Sequence, residues 1–373
     1  MHPGLPTFPA ADLARPVAGA HADPRSLAGL ACLEHLPKEE VLGSPLEDEM
    51  PPGLLLDGRF RIAETIGRSA MATIYRAGDE AVDGSSVALK VSLRRIESDP
   101  MLHGRFEREA RIGASLRGPG LLRFIETPGR KSRPYIAMEY VDGCTLSSVL
   151  HRTRPLPEAE ALRIASVICE ALKPLHERGV LHRDLKPGNI MVRRDLTLAL
   201  IDYGLASEGA SDDGMLASLT PVLGTPEYMA PEQVRNARND ARTDVYSVGV
   251  ILYQMLTGSL PFESGDPWLS AQMRVTGDPA APRSINPAIT PEAEEIVLRA
   301  LRRDPGERYA SVASFQSELD APGLVEVSGL SSRLVAPRTR LSIQGTPLLA
   351  GIVMGMGTLA ALVLLFLFLA RHR

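Results

Sequence analysis

The hydrophobic pattern of this chain changes partway through residues 59–320, and this change restricts the fold. The first part is a series of short apolar runs of the β type separated by turns, at 61–67, 73–78, 86–92, 121–127 and 134–139. A helical pattern at 101–116 interrupts the series. Later apolar residues recur at helical spacing, and 244–256 is apolar nearly all round, which is typical of a helix buried inside a domain. We therefore predict an α+β fold with a β-rich N-lobe carrying one helix at about 59–140 and an α-rich C-lobe at about 143–320.

The composition is that of a globular protein with a different segment at its start. Hydrophobic residues make up 44% of the 373 and charged residues 23%, which excludes wholesale disorder and fibrous repeats. Residues 1–54 are rich in proline, lack a signal-peptide pattern and are predicted to form a disordered arm. The net charge of −4 provides no general attraction to nucleic acid, so we expect no nucleic-acid partner. The three cysteines are too widely spaced for a disulfide framework or a zinc site.

The C-terminal region contains a long uncharged segment at 348–370. As a helix it would span about 35 Å, enough for a hydrocarbon core of about 30 Å. A buried core helix is the alternative, but 362–369 has no polar face. We predict one transmembrane helix at 348–370, preceded by a juxtamembrane linker at 321–347. Gly351 and Gly355 form a small-xxx-small pair, from which homodimerisation is a hypothesis.

Four short motifs stand out by their residue types and spacing. They are the small-residue loop at 66–75, Val-Ala-Leu-Lys-Val at 87–91, His-Arg-Asp-Leu-Lys-Pro-Gly-Asn at 182–189 and Asp-Tyr-Gly at 202–204. Only five of the 41 basic residues are lysine, yet lysine stands at both 90 and 186, which indicates a requirement for an ammonium group there. In this order the motifs resemble the signature set of the bacterial Hanks-type serine/threonine protein kinases, over about 59–320. The resemblance implies the bilobal protein kinase fold.

The resemblance also implies that the chain binds ATP. Lys90 would reach the α- and β-phosphates, and a glutamate on the 101–116 helix would hold it in place. By analogy with the family pattern Glu109 is the favoured glutamate, and Glu107 is the competing choice. The other residues expected at the nucleotide are Ile66, Gly67, Ser69, Ala72, Ile74, Ala88, Met138, Met191 and the backbone of Glu139 and Val141.

The sequence departs from the family pattern at two places. The loop that should contain three glycines has Gly67, Ser69 and Ala72 instead, which bears on nucleotide affinity and on the freedom of the loop to move. Tyr203 replaces a phenylalanine, and its hydroxyl needs a partner if the ring is buried.

The catalytic roles that the resemblance implies fall on two motifs. Asp184 would orient the acceptor hydroxyl and take its proton, and Lys186 would stabilise the charge of the moving phosphoryl group. Asn189 and Asp202 supply oxygen ligands suited to Mg²⁺, with Mn²⁺ as a substitute.

The segment 224–232 resembles the end of a protein kinase activation loop, which small-molecule kinases generally lack. With Lys186 and Thr225, it implies protein substrates phosphorylated on serine or threonine. The resemblance further implies that Asp244 braces the catalytic loop and that Glu232 pairs with Arg308.

Control by phosphorylation is a further hypothesis. Arg183 precedes the expected catalytic aspartate, and a phosphate on Ser218 or Thr220 would pair with it and order the loop. Because ATP is required, the kinase domain is expected in the cytoplasm, on a protein with a single pass through the inner (plasma) membrane. The rival interpretations are a catalytically weak pseudokinase scaffold and a small-molecule phosphotransferase.

Overall fold

The computed structural model describes residues 48–69, 71–203, 207–208, 226–235, 237 and 239–337. The chain divides into two compact units, Met1–Ala336 and Pro337–Arg373. Only Pro337 of the second unit is among the described residues, so the architecture below is that of the first.

The N-lobe is built on a five-stranded antiparallel sheet with its strands in chain order. The strands are β1 (Leu55–Leu56), β2 (Phe60–Arg68), β3 (Ala72–Asp79), β4 (Ser85–Ser92) and β5 (Tyr135–Glu139). Two helices, α1 (Arg94–Glu97) and α2 (Pro100–Ser115), follow β4. The carboxylate of Asp99 caps α2 by accepting the N–H groups of Met101 and Leu102, and Pro100 occupies the first helical turn.

The strand predicted at 121–127 is not formed. Phe124 and Met138 make an isolated bridge, with backbone bonds from Ile125 N to Ala137 O and from Glu139 N to Arg123 O. Because these two bonds hold the segment at a single point on β5, the pairing is too short to continue as a strand.

The C-lobe is mainly helical, as the sequence predicts. Its long helices are α4 (Glu158–Glu177) and α6 (Ala241–Thr257), and α6 is buried over most of its length. The other helices are α3 (Leu146–Arg152), α5 (Pro231–Val234), α7 (Pro267–Thr276), α8 (Pro282–Ile285), α9 (Pro291–Ala300) and α10 (Val312–Asp320). Short strands β6 (Gly143–Thr145), β8 (Ile190–Arg193) and β9 (Leu198–Leu200) form one small sheet, and β7 (Val180–Leu181) pairs with β10 (Ser207–Glu208).

The core consists of two hydrophobic clusters, of which the larger joins the lobes. The larger one fills the C-lobe and continues into the N-lobe through Phe106, Ile112 and Phe124. The smaller one lies within the N-lobe sheet and includes Phe60 and Tyr75. The larger cluster therefore connects α2 with the C-lobe helices.

The folded N-lobe begins earlier than predicted. Asp48 Oδ2 accepts the N–H of Arg94 at 3.0 Å, and the N–H of Met50 donates to the Tyr75 hydroxyl at 2.9 Å. The Met50 side chain is buried in the smaller cluster. The prediction that disorder extends to residue 54 is therefore wrong for 48–54, since burial of Met50 and these hydrogen bonds hold the segment in place. Residues 1–47 lie outside the described residues.

The C-lobe likewise extends past the predicted boundary at 320. Two 3₁₀ turns, Pro322–Leu324 and Leu330–Arg333, follow α10. Ser328 Oγ and Leu330 N donate to the buried carboxylate of Glu295, and Val335 N donates to the buried carboxylate of Asp278 at 2.9 Å. Residues 321–336 are thus part of the folded lobe, which corrects the prediction that a linker begins at 321.

Several predicted features lie outside the described residues. These are the proposed transmembrane helix at 348–370 with Gly351 and Gly355, the phosphorylation candidates Ser218 and Thr220, and Thr225. Among the residues that the structure describes, no helix combines the length and the apolar character needed to cross a membrane.

Candidate active site

Lys90 lies at the centre of a buried group of charges between the lobes. Its Nζ donates to both carboxylate oxygens of Glu109, at 2.6 and 2.8 Å, and to Asp202 Oδ1 at 3.0 Å. Lys90 is 8% exposed and Glu109 4%. Glu107, the competing choice, has a side chain 70% exposed and faces His103 instead. The structure therefore brings Glu109, and not Glu107, to Lys90.

The electrostatics of this group follow from burial and proximity. Burial by itself would lower the pKa of Lys90, but the charges of Glu109 and Asp202 outweigh it, so the pKa is raised and the ammonium stays charged. Burial raises the pKa of Glu109 to about 7, with Lys90 opposing the rise and Asp202 adding to it. The site thus holds one ammonium between two carboxylates, of which Asp202 is the more exposed.

The catalytic loop forms a second cluster around Asp184. Lys186 Nζ donates to Asp184 Oδ2 at 2.9 Å. The amide nitrogen of Asn189 donates to the same oxygen at 3.1 Å and to the Asp184 carbonyl oxygen at 2.8 Å. Asn189 ends the 3₁₀ turn Pro187–Asn189. The Asp184 carboxylate is therefore held by two neighbours that lie within five residues of it in the same loop.

Asp244, near the start of α6, fixes the backbone of this loop through hydrogen bonds. Its buried carboxylate accepts the N–H groups of His182 and Arg183, each at 2.9 Å, and lies 2.7 Å from His176 Nε2. Burial acts to raise the pKa of Asp244, but His176 and these donors lower it overall. The bracing expected of Asp244 is thus present in the structure.

Two residues of the site hold an unusual backbone conformation. Arg183 and Asp202 have φ of 66° and 69°, in the left-handed region that non-glycine residues seldom adopt. At Arg183 the Asp244 bond stabilises this conformation. The residue after Asp202, Tyr203, is buried with its hydroxyl donating to the Leu200 carbonyl at 3.2 Å, and this is the partner its burial requires.

The residues predicted around the nucleotide lie on adjoining strands. Gly67 pairs with Ile74, Ile74 with Lys90, and Ala88 with Met138, so β2 to β5 bring these residues into one part of the sheet. The remaining members of the set are Ile66 near the end of β2, Ser69 directly after β2, Ala72 at the start of β3, Met191 on β8, Glu139 at the end of β5 and Val141 after it. The Glu139 side chain accepts Arg193 Nη2 at 2.7 Å, which ties this connection to the C-lobe.

The predicted pair between Glu232 and Arg308 is present. The guanidinium donates to both carboxylate oxygens at 2.8 Å, and both side chains are buried. Thr243 Oγ1 donates to the same carboxylate at 2.9 Å. Because the two residues are far apart in sequence, the pair joins α5 to the segment between α9 and α10.

Sequence reasoning missed two residues that support this region. Gln233 Nε2 donates to the Arg183 carbonyl, and its Oε1 accepts Ala230 N. Arg274, a buried residue of α7, donates through Nη1 to the carbonyls of Pro226 and Met229. The sequence contains no signal for the contacts with the Arg183, Pro226 and Met229 carbonyls, because each joins residues about 45 to 50 positions apart.

The donor set fits a divalent cation that binds together with a polyphosphate. No group of three or more His, Cys, Asp or Glu side chains suited to a metal occurs among the described residues. Mg²⁺ typically uses one or two protein ligands and completes its shell with water and phosphate oxygens. Asp202 and the amide oxygen of Asn189 would meet that requirement.

Comparison with known proteins agrees with this geometry. A protein kinase domain matches residues 60–319. The chain is 35% identical to the serine/threonine-protein kinase PknB of Mycolicibacterium smegmatis, over 76% of this chain and 47% of that protein. It is 34% identical to PknB of Mycobacterium tuberculosis, over 71% and 43%. It is 40% identical to the serine/threonine-protein kinase pkn3 of Myxococcus xanthus, over 70% and 50%. The matched part thus covers half or less of each of these relatives.

Proposed function

Because this chain belongs to the protein kinase family, as a bacterial Hanks-type serine/threonine protein kinase, we propose that it transfers the ATP γ-phosphate to serine and threonine hydroxyls of proteins, including its own. The convergence of Glu109 and Asp202 on Lys90 carries the proposal. It joins residues from β4, α2 and the 202–204 motif in one cleft, and such preorganised charge is what phosphoryl transfer requires.

The chemistry divides between the two clusters. The Lys90 ammonium binds the nucleotide phosphates while Glu109 fixes its position. At the other cluster, the Asp184 carboxylate orients the acceptor hydroxyl and takes its proton, and Lys186 offsets charge on the transferred group. Asp202 and Asn189 would hold Mg²⁺ or Mn²⁺, which when bound neutralises phosphate charge. A catalytically weak scaffold is disfavoured, because the sequence has a residue of the required type for each of these roles.

The activity is tested by transfer of labelled phosphate from ATP in the presence of Mg²⁺, with the full chain in mild detergent and Asp184→Asn as the control. We expect label on the protein or on a generic basic protein substrate, and none with the variant. Label on a metabolite alone would indicate a small-molecule phosphotransferase. ATP binding without any transfer would indicate a pseudokinase.

We also propose that the kinase is anchored in the inner membrane by a single helix at 348–370, with its catalytic domain in the cytoplasm. The support is the uncharged length of this segment. Deletion of 348–370 should move the protein from the membrane to the soluble fraction.

The same helix would mediate homodimerisation through Gly351 and Gly355. The changes Gly351→Ile and Gly355→Ile together should abolish association in a membrane-span assay.

Control by phosphorylation is proposed at Ser218 or Thr220, with Arg183 as the partner of the phosphate. The backbone of Arg183 is fixed by Asp244 on one side and Gln233 on the other, which supports a defined position for its side chain. Alanine at both Ser218 and Thr220 should lower activity. Unchanged activity in that double variant would contradict this mode of control.

A further inference from the structure

The segment before the N-lobe sheet contacts the last residue of β2, directly before the connection between β2 and β3 that we call the nucleotide loop. Both Nε and Nη2 of Arg68, the residue between Gly67 and Ser69, donate to the Glu49 carboxylate, with Nη2 3.0 Å from Oε2. The side chains are only 15% and 12% exposed. Such a two-point, partly buried pair is stronger than an exposed ion pair. Glu49 therefore restrains the end of β2, where the loop begins.

Glu49 is itself held from both sides. Before it, Asp48 accepts Arg94 N at 3.0 Å and pairs with Arg133 at 3.3 Å. After it, Met50 donates its N–H to the Tyr75 hydroxyl and buries its side chain. We call residues 48–50 the clasp. Because its neighbours fix Glu49, little side-chain entropy is lost when it pairs with Arg68.

The loop beyond Arg68 lacks the glycines that would let it adjust freely. Ser69 N donates to Ala72 O at 2.8 Å, and Ser69 Oγ accepts the N–H groups of Met71 and Ala72 at 3.3 and 3.0 Å. The backbone bond from Ser69 N to Ala72 O gives the loop a defined turn. The clasp therefore determines the position of the turn, and with it the position of the loop backbone relative to the cleft.

We propose that Glu49 is a positioning residue for ATP, acting through Arg68, and that the clasp sets the height of the nucleotide loop, which has too few glycines to adjust its own position. This inference rests on the proposed function, namely that the cleft below the loop binds ATP. Loss of the Glu49 charge should allow the loop to move away from the nucleotide. It should weaken ATP binding without changing the groups that carry out transfer.

The test compares full-length wild-type protein with Glu49→Gln in mild detergent. Calorimetry gives the Kd for Mg·ATP, and steady-state kinetics give the KM for ATP, the KM for a protein substrate and kcat. We expect Kd and KM for ATP to rise about three- to tenfold, with kcat and the protein KM within about twofold of wild type. The charge exchange Glu49→Arg with Arg68→Glu should restore ATP affinity.

Glu80→Gln is the matched control. Glu80 pairs with Arg61 on the same strand β2, but that pair is 45% and 52% exposed and lies at the end of the strand away from the loop. Its loss should leave ATP affinity unchanged.

The outcomes separate the inference from the proposed function. Equal ATP affinities in wild type and Glu49→Gln would overturn the inference alone. The inference would also be overturned if Glu49→Gln lowered kcat and thermal stability and raised both KM values, and if the charge exchange restored none of them. Glu49 would then have only a structural role. A wild-type protein that binds no ATP would remove the proposed function, and the inference with it.

Discussion

At the scale of single residues, function depends on a group of charges in which Lys90 and Glu109 are buried. Lys90 remains an ammonium because two carboxylates face it, and Lys90 in turn limits the rise in the pKa of Glu109 that burial causes. A change of one charge in this group alters the protonation of the others. Substitutions here should therefore change the pH dependence of activity as well as its size.

The activity should fall on the acid side of neutrality. The pKa of Glu109 is about 7, well above its ordinary 4.5, so lowering the pH through about 7 protonates Glu109 and deprives Lys90 of its fixed partner. We expect kcat/KM for ATP, measured from about pH 5.5 to 9, to decrease below about pH 7. In Glu109→Gln this acid limb should be absent and activity low throughout. An identical limb in that variant would assign the titration to another group.

The Ser69 hydroxyl limits the number of backbone N–H groups that the loop can donate to the phosphates of ATP. Its hydroxyl accepts the N–H groups of Met71 and Ala72, which are then engaged within the loop. In Ser69→Ala the backbone bond from residue 69 N to Ala72 O is retained, while both N–H groups become available to a phosphate. We expect the KM for ATP to fall about threefold, the effect of a fraction of one hydrogen bond.

Ser98→Ala provides the comparison for this change, since Ser98 is an exposed N-lobe serine whose hydroxyl donates to a local carbonyl, that of Arg95. Its KM for ATP should match wild type. An unchanged or higher KM in Ser69→Ala would show that the hydroxyl does not compete with phosphate.

At the scale of secondary structure, the approach of α2 to the cleft is set by Gly113. A Cβ at this position would overlap the ring of Phe124, which packs 5.9 Å from the ring of Tyr203. The absence of a side chain thus lets α2 lie close enough for Glu109 to reach Lys90. The helix, the Phe124 segment and Asp202 with its neighbour Tyr203 are positioned as one unit.

Gly113→Ala should displace α2 and lower activity. Overpacking of this kind costs about 1–3 kcal/mol of stability, and a shift of the helix would separate Glu109 from Lys90. We expect kcat/KM to fall at least about tenfold, because transfer depends closely on the position of these groups.

Gly104→Ala is the matched control for this change. Gly104 lies on the same helix, with open space where an alanine methyl group would stand, so the substitution should preserve activity and stabilise the helix. Equal activities of the two variants would contradict the role of Gly113.

At the scale of the whole molecule, the folded domain extends beyond the kinase motifs in both directions. The clasp packs against the N-lobe sheet through Met50, and residues 321–336 donate hydrogen bonds to Glu295 and Asp278 of the C-lobe. Without the latter segment, two carboxylates buried in the structure would lose hydrogen-bond donors.

A fragment of residues 59–320 should therefore be less stable than one of residues 48–336. Loss of the burial of Met50 and of the bonds to Glu295 and Asp278 should cost a few kcal/mol, or roughly 5–10 °C in Tm. Thermal melting followed by circular dichroism measures the difference. Fragments 48–320 and 59–336 divide it between the two ends. Equal Tm values for the shortest and longest fragments would show that the terminal segments do not contribute to the stability of the domain.

The two-lobed fold and the chemical identity of the site could be predicted from the sequence. Lys90, Asp184, Asn189 and Asp202 stand in short motifs whose residue types and spacing reflect local chemistry, and local patterns are visible in a sequence. Hydrophobic periodicity likewise predicted α4, because a helix buries its apolar residues at a fixed interval, and the apolar character of 244–256 on all sides predicted the buried helix α6.

Which residues meet across the chain depends instead on how the elements pack in three dimensions. Glu107 and Glu109 are two positions apart on one helix, and the orientation of α2, permitted by Gly113, brings Glu109 to Lys90. Residues 48–50 and 321–336 have no strong pattern of their own. Their order comes from hydrogen bonds and ion pairs with Tyr75, Arg68, Glu295 and Asp278. Such contacts depend on where distant elements pack, and for that reason the sequence-based boundaries were too narrow at both ends.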